Sequence, residues 1–136
     1  MKIIDNEMLS ALSRQASQSE RLRKNYNLHL SLNDNVQRLL NALEPGTDVP
    51  VHRHTETDET YVLLSGALNV LIFNDEMELT KKVQLDPAIG KYGISIPAGT
   101  WHSIEVLKKG TVIFEVKEGP YTPLESKDIL KVHQLI

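Results

Sequence analysis

Two stretches, residues 46–66 (GTDVPVHRHTETDETYVLLSG) and residues 97–102 (PAGTWH), decide the fold. In the first stretch, His52 and His54 are two residues apart and Glu59 follows five residues later. Alternate residues of a strand project from one face, so two imidazoles at this spacing can bind one metal ion if the stretch is extended. A helix would need a spacing of four residues. The pattern therefore predicts a metal site carried on strands.

Short runs of alternating apolar residues surround these stretches and predict an all-β domain. The expected strands cover residues 25–32, 36–43, 49–54, 59–64, 67–73, 79–85, 93–96, 101–107 and 111–117. Many short strands separated by Gly, Pro and Asn are typical of a sandwich or barrel. A closed barrel can bring Glu59 and His102, each at the start of a strand, to one interior point with the histidine pair.

The chain of 136 residues has the length of a single domain. We expect an N-terminal helix region, residues 1–24, packed on the domain or on a partner subunit, followed by a barrel with a C-terminal tail, residues 25–136. Asp5 is the predicted N-cap of a helix over residues 5–24, which carries a narrow apolar stripe. The tail is predicted to be weakly helical over residues 124–130.

Composition excludes several classes of function. The chain has no cysteine, which excludes a disulfide scaffold, a thiolate zinc site, an iron–sulfur cluster and a cysteine nucleophile. A formal net charge of −3 argues against nucleic acid as a partner. We interpret the only basic cluster, residues 21–24, as a complement to the dipole at the end of the predicted helix.

No apolar run approaches the ~20 residues that span a bilayer, so no membrane partner is expected. The N-terminus turns polar within five residues and shows no signal-peptide pattern. These features predict a cytoplasmic protein.

The histidine-rich stretch matches a known family. The spacing Gly46-x5-His52-x-His54-x4-Glu59-x6-Gly66 fits the first cupin motif, and Pro97-x-Gly99-x2-His102 fits the core of the second. The sequence thus resembles a single-domain cupin, a double-stranded β-helix or jelly roll. The resemblance implies that the metal ligands are His52, His54, Glu59 and His102.

Two positions depart from the second cupin motif. Gly90 lies seven residues before Pro97, where the motif has six, and Val106 stands where the motif ends in Asn. These departures suggest a subfamily with its own surroundings for the metal ligands.

A closer resemblance covers residues 25–121. The stretches at 25–31, 37–47, 97–102 and 114–121 look like those of WbuC-type cupin-fold metalloproteins. This resemblance implies a bacterial cytoplasmic protein associated with surface-polysaccharide or deoxysugar biosynthesis, without a settled reaction.

Three imidazoles and one carboxylate suit a divalent ion of Fe, Mn, Zn, Ni or Co. Such a site leaves coordination positions open for water or a ligand, which indicates catalysis or ligand binding. Three functions stay open, and no catalytic residue is assigned. They are a metal-dependent enzyme such as an isomerase or epimerase acting on a small sugar-related or hydroxy-acid metabolite, a non-catalytic sugar- or carboxylate-binding module, and an Fe(II)-dependent dioxygenase.

Candidate pocket residues come from the first predicted strand and from two isolated positions. Asn25, Asn27, His29 and Ser31 share a polar face that lines the barrel mouth or, as the simpler expectation, meets solvent. Arg38 either binds an anionic ligand group or is a surface charge. Tyr121 either folds over the pocket or, as the simpler expectation, packs on the sheet. His133 is interpreted as a surface residue.

Cupins commonly associate through sheet edges, and an unpaired edge strand is prone to pair with another chain. We therefore expect a homodimer that binds a small-molecule ligand.

Overall fold

Two five-stranded antiparallel sheets form the molecule in the computed structural model, which describes residues 1–130. The helix is α1 (Asn6–Gln18), and the strands are β1 (Arg23–Asn27), β2 (Val36–Leu43), β3 (Val51–His52), β4 (Glu59–Ser65), β5 (Leu68–Phe73), β6 (Leu79–Leu85), β7 (Gly93–Ile96), β8 (Trp101–Val106), β9 (Thr111–Glu118) and β10 (Ile129–Leu130). Sheet I has the order β1-β2-β9-β4-β7, and sheet II has the order β10-β3-β8-β5-β6. The predicted all-β jelly-roll class is confirmed.

The alternation of β2 separates two hydrophobic clusters. Leu40 and Ala42 face outward and pack with Leu12 and Ala16 of α1. Leu43 faces inward and belongs to the core between the sheets, together with residues such as Leu63. The helix therefore covers the outer face of sheet I, and the inner face is left to the core and to a cavity.

The helix is shorter than predicted. It begins after Asp5, whose carboxylate accepts a hydrogen bond from the Met8 amide at 2.9 Å, and it ends at Gln18 because Ser19 is extended. No basic residue lies in its last turn. The interpretation of residues 21–24 as a complement to the helix dipole was therefore wrong.

The predicted strand over residues 25–32 was also too long. Strand β1 ends at Asn27, and the Asp34 carboxylate then accepts hydrogen bonds from the amides of Leu30 and Ser31 at 3.0 and 3.3 Å. This side-chain bonding offers the backbone an alternative to the sheet. Leu30, expected on the apolar face, is 95% exposed.

The C-terminal segment differs from the predicted weak helix over residues 124–130. A single 3-10 turn at Ser126–Asp128 leads into β10, which pairs with β3. His133 lies outside the described residues. None of the helices within residues 1–130 has the length and apolarity needed to cross a membrane.

Candidate metal centre

Four side chains from both sheets meet at one end of the barrel. His52 ends β3, His54 follows it, Glu59 begins β4, and His102 is the second residue of β8. Each offers one ligand atom, and these atoms all lie within 4.8 Å of one another. The structure thus brings together the four residues that the cupin resemblance implies as ligands.

Loop contacts hold the two motif segments against each other. The Gly99 amide donates to the His54 carbonyl at 2.7 Å, and the Ala98 amide donates to the Asp58 carboxylate at 2.8 Å. The turn before His102 is therefore fixed to the loop that carries His54.

Two of the imidazoles are oriented by backbone carbonyls. His52 Nδ1 lies 2.8 Å from the Pro50 carbonyl, and His102 Nδ1 lies 2.9 Å from the Thr100 carbonyl. A neutral ring that donates its Nδ1 proton to a carbonyl keeps a lone pair on Nε2, which is the state a metal ligand needs. The surroundings of both rings therefore fit metal ligation.

The electrostatics of the cluster also fit a cation. Burial, reinforced by His102, lowers the pKa of His52 to about 4, so this ring is neutral at pH 7. Burial alone would raise the pKa of Glu59, but its interactions with His102 and His54 outweigh burial and hold the pKa well below its usual range. Glu59 Oε2 lies 3.0 Å from His54 Nε2. The buried Oε1 lies 3.5 Å from His102 Nε2 and makes no hydrogen bond among the described residues.

Tyr61 closes the cluster on the interior side. Its hydroxyl lies 3.3 Å from His102 Nε2, and the side chain is 2% exposed. Burial, with the charge of Glu59, raises the pKa of Tyr61 well above its ordinary value, so the hydroxyl stays protonated.

A cavity of about 350 Å³ opens beside the cluster. Among the predicted pocket residues, Asn27, His29 and Tyr121 line it, and so does Asn25. Asn25 and Asn27 border the cavity and are also exposed to solvent, His29 is buried beside it, and Ser31 is exposed and does not line it. Tyr121 borders the cavity with its side chain 47% exposed, and Lys117 Nζ of sheet I lies 5.8 Å from its ring centroid.

Arg38 is not brought to the cavity. It lies on the exposed, outer face of β2, whereas its neighbours Gln37 and Leu39 line the cavity from the inner face. Its backbone instead contacts His29: the Arg38 amide lies 3.1 Å from His29 Nδ1.

Sequence reasoning missed several polar and charged lining residues on sheet I or next to it. They are Arg21, Arg23, Gln37, Asn41, Glu115 and Lys117. The register places Glu59 opposite Lys117 and Tyr61 opposite Glu115, so the inner face runs from the cluster across β9 to β2 and β1. The alternation of residues in β2 and β9 divides each strand into two faces. The strand register is needed to tell which of these faces lines the cavity.

Glu115 is the second carboxyl group of the cavity. Burial, with the negative charge of Glu59, raises its pKa to about 8, so it is mainly protonated at pH 7. Asn41 Nδ2 lies 3.5 Å from its Oε1. Glu115 therefore presents a proton to the cavity, next to the strand that carries Glu59.

Solved structures similar to this chain include cupin-domain proteins. A cupin-2 domain containing protein from Shewanella frigidimarina is 18% identical, with 86% of this chain and 95% of that chain covered and a TM-score of 0.60. KdgF from Halomonas sp. is 15% identical, with 74% and 82% covered and a TM-score of 0.57. Oxalate decarboxylase from Bacillus subtilis, a protein with Mn(II) centres, is 17% identical, with 81% and 28% covered and a TM-score of 0.54.

These likenesses show the cupin fold. No curated protein sequence matches the chain. The family model described as Domain of unknown function (DUF6016) matches residues 4–85, and the chain belongs to that family.

Proposed function

We propose that this protein binds one divalent metal ion through His52, His54, Glu59 and His102 and acts as an enzyme on a small sugar-related or hydroxy-acid metabolite. The single observation that carries the proposal is the convergence of these four ligand atoms within 4.8 Å at the wall of a cavity. When bound, the ion would act as a Lewis acid and polarise an oxygen atom of the bound metabolite.

Other residues of the cavity offer hydrogen-bonding groups and a carboxyl group to the same metabolite. Amide side chains such as Asn25, Asn27 and Asn41 offer donors and acceptors that suit hydroxyl groups. Glu115, mainly protonated at pH 7 in the metal-free protein, lines the same cavity. A metabolite with adjacent hydroxyl and carbonyl carbons fits this set, which favours an isomerase or epimerase.

The proposal also covers the cellular role of the protein, its oligomeric state and the identity of the metal ion. The WbuC-type resemblance of residues 25–121 supports a cytoplasmic role linked to surface-polysaccharide biosynthesis. Association as a homodimer is proposed from the edge strands of the two sheets. The Mn(II) centres of oxalate decarboxylase support Mn as one of the divalent ions to test first.

The test is calorimetric titration of chelator-treated protein with Mn(II), Fe(II), Co(II), Ni(II) and Zn(II). We expect one site per chain for at least one ion, and a loss of at least about 100-fold in affinity in His52→Ala and His102→Ala. His29→Gln is the matched control, because His29 lines the same cavity outside the cluster. The metal proposal fails if the two alanine variants bind the ion as tightly as His29→Gln does.

Two alternatives use the same site. A non-catalytic binding module is favoured by the polar lining of the cavity, and it predicts saturable ligand binding with no turnover under any metal or oxygen condition. An Fe(II)-dependent dioxygenase is compatible with the three-His, one-Glu set and predicts ligand-dependent O2 consumption with Fe(II). A screen of nucleotide-sugars and hydroxy acids that follows product formation and O2 separates all three.

A further inference from the structure

Two arginines line the cavity away from the metal cluster, at its β1 end. Arg21 precedes β1 and Arg23 begins it, and both border the cavity. Among residues 1–130, neither makes an ion pair with a carboxylate within 4.0 Å. Within the same residues, the only side-chain hydrogen bond of the pair runs from Arg23 Nη1 to the Asp48 carbonyl at 3.0 Å. The cavity therefore has two guanidinium groups without a bound counter-charge.

The backbone between these arginines is strained. Leu22 has a φ of 56°, a left-handed conformation that is unfavourable for a side chain with a Cβ. Contacts to the turn after β2 maintain it: the Glu44 amide donates to the Leu22 carbonyl at 2.9 Å, and the Thr47 hydroxyl donates to the Arg21 carbonyl at 2.7 Å. Strain that the surroundings maintain in this way clusters at functional sites.

Polar side chains lie on the inner face of sheet I between the two arginines and the metal cluster. Sheet spacing places β1 about 14 Å from β4, and Asn41 and Glu115 lie on the strands between them. His29 is 7% exposed and its Nε2 has no hydrogen-bond partner among the described residues, and Asn41 Oδ1 is unpartnered in the same way. Buried polar atoms of this kind are hydrogen-bonded by water or by a bound ligand, so a polar ligand in the cavity has two groups here to pair with.

We propose that Arg21 and Arg23 bind the anionic group, a phosphate or a carboxylate, of an acidic sugar-like ligand whose hydroxyl groups reach across sheet I toward the metal centre. This inference rests on the proposed function and names its substrate class. A guanidinium is planar and always charged at neutral pH, and it presents paired donors that match an oxyanion. Two of them together select an anionic ligand over its neutral analogue.

The environment of Arg23 agrees with this assignment. Burial lowers its pKa and the adjacent charge of Arg21 lowers it further, whereas Asp48 and Glu115 act in the opposite direction. The protein thus holds a half-buried cation beside a like charge, an arrangement that an oxyanion between the two would relieve. The location of the pair at a cavity of an acidic protein argues against a nucleic-acid surface.

The test compares three probes on the full chain by calorimetry: a hexose 6-phosphate, a hexuronate and the neutral hexose. Each is measured with Mn(II) and again with chelator. We expect at least one anionic probe to bind about tenfold or more tightly than the neutral hexose, and the tighter of the two identifies the anion. Arg21→Gln and Arg23→Gln should each weaken that binding by about tenfold, the size of a lost charge-assisted hydrogen bond.

Lys24→Gln is the matched control, because it removes the same charge from an exposed residue next to Arg23 that does not line the cavity. Its affinity should stay within about twofold of wild type. Arg21→Gln keeps the test informative if Arg23→Gln fails to fold, since the exposed Arg21 side chain makes no hydrogen bond to any of residues 1–130.

The proposal is overturned if neither anionic probe binds, if the neutral hexose binds equally well, or if both arginine variants bind like Lys24→Gln. Its failure is distinguishable from that of the metal proposal by metal content. Arginine variants should retain wild-type metal uptake, and His52→Ala should retain the anion preference with chelator present.

Discussion

His52 and His102 lie directly opposite each other in the β3–β8 pair, and their ring centroids are 4.3 Å apart. Each ring is oriented by the carbonyl of the residue two positions earlier, Pro50 in one case and Thr100 in the other. The two imidazoles are thus positioned by their own strands before any ion binds. Glu59 approaches them from the other sheet, so the site joins the two layers of the fold.

Glu59→Gln tests whether the carboxylate completes the metal site. The change keeps the shape of the side chain but removes its charge, so we expect metal affinity to fall by at least about 100-fold, above the 10- to 100-fold typical of losing an outer-sphere partner. Metal titration measures it. Glu56→Gln, an exposed acid in the preceding loop, is the control and should bind like wild type. Equal affinities in the two variants would remove Glu59 from the ligand set.

The stability of the metal-free protein should depend on Glu115 in a defined pH window. Its pKa is about 8 in the folded chain against an ordinary value of 4.5. Between these values the folded state holds more protons than the unfolded state, so this group's contribution to stability is lost as pH rises. Glu115→Gln removes that loss.

We therefore expect Glu115→Gln to gain stability relative to wild type between pH 5 and 8, by at most about 1.4 kcal/mol per pH unit. Urea unfolding of both proteins, with chelator present, measures the difference. Parallel pH profiles for the two proteins would show that Glu115 is not held protonated.

Gly66 is predicted to be irreplaceable for steric reasons. Its φ is 82°, and a Cβ at this position would lie 2.6 Å from the Thr111 Cα. Gly66→Ala should therefore cost several kcal/mol, on the scale of overpacking plus backbone strain. Gly110→Ala is the control, because Gly110 has a φ of 75° with open space around its Cβ position, and it should cost only about 1 kcal/mol. Similar unfolding free energies for both variants would exclude the steric explanation.

Arg53 should hold the C-terminal segment against β3. Its Nε lies 3.0 Å from the Asp128 carboxylate, and its guanidinium stacks 4.4 Å from the Trp101 ring centroid. Arg53→Gln leaves the buried Asp128 without its charged partner, which should cost about 1–3 kcal/mol. Faster hydrogen exchange at the amides of Ile129–Leu130 reports the loss.

The exposed pair of Lys127 and Glu125 provides the comparison for Arg53, since its side chains are 67% and 69% exposed. Lys127→Gln should leave the same amides protected, because exposed ion pairs contribute little. Equal exchange in both variants would mean that Arg53 does not hold the segment.

The metal cluster could be predicted from the sequence because its residues lie within two short motifs, residues 46–66 and 97–102. The motif spacing identifies His52, at the end of β3, and His54, two residues later in the following loop, and it selects Glu59 from its acidic neighbours Glu56 and Asp58. Most strands could also be predicted, since period-two alternation reports a strand that is buried on one face.

The rest of the cavity depends on which strands are neighbours, and alternation alone does not give that. Glu115 faces the cavity because β9 lies between β2 and β4, a pairing that joins residues far apart in sequence. Two other errors came from side-chain hydrogen bonding and helix length. The Asp34 carboxylate bonds to the backbone after β1 and ends the first strand early. The extended backbone at Ser19 ends the helix before Arg21, so Arg21 lines the cavity and does not interact with the helix dipole.

The most direct test of metal binding at the four-residue cluster is an anomalous difference map from crystals of the full chain grown with Mn(II). We predict one strong peak per chain at coordination distance from His52 Nε2, His54 Nε2, His102 Nε2 and a Glu59 carboxylate oxygen. A map with no peak at these four atoms, in crystals whose Mn(II) content is confirmed by fluorescence, would contradict it.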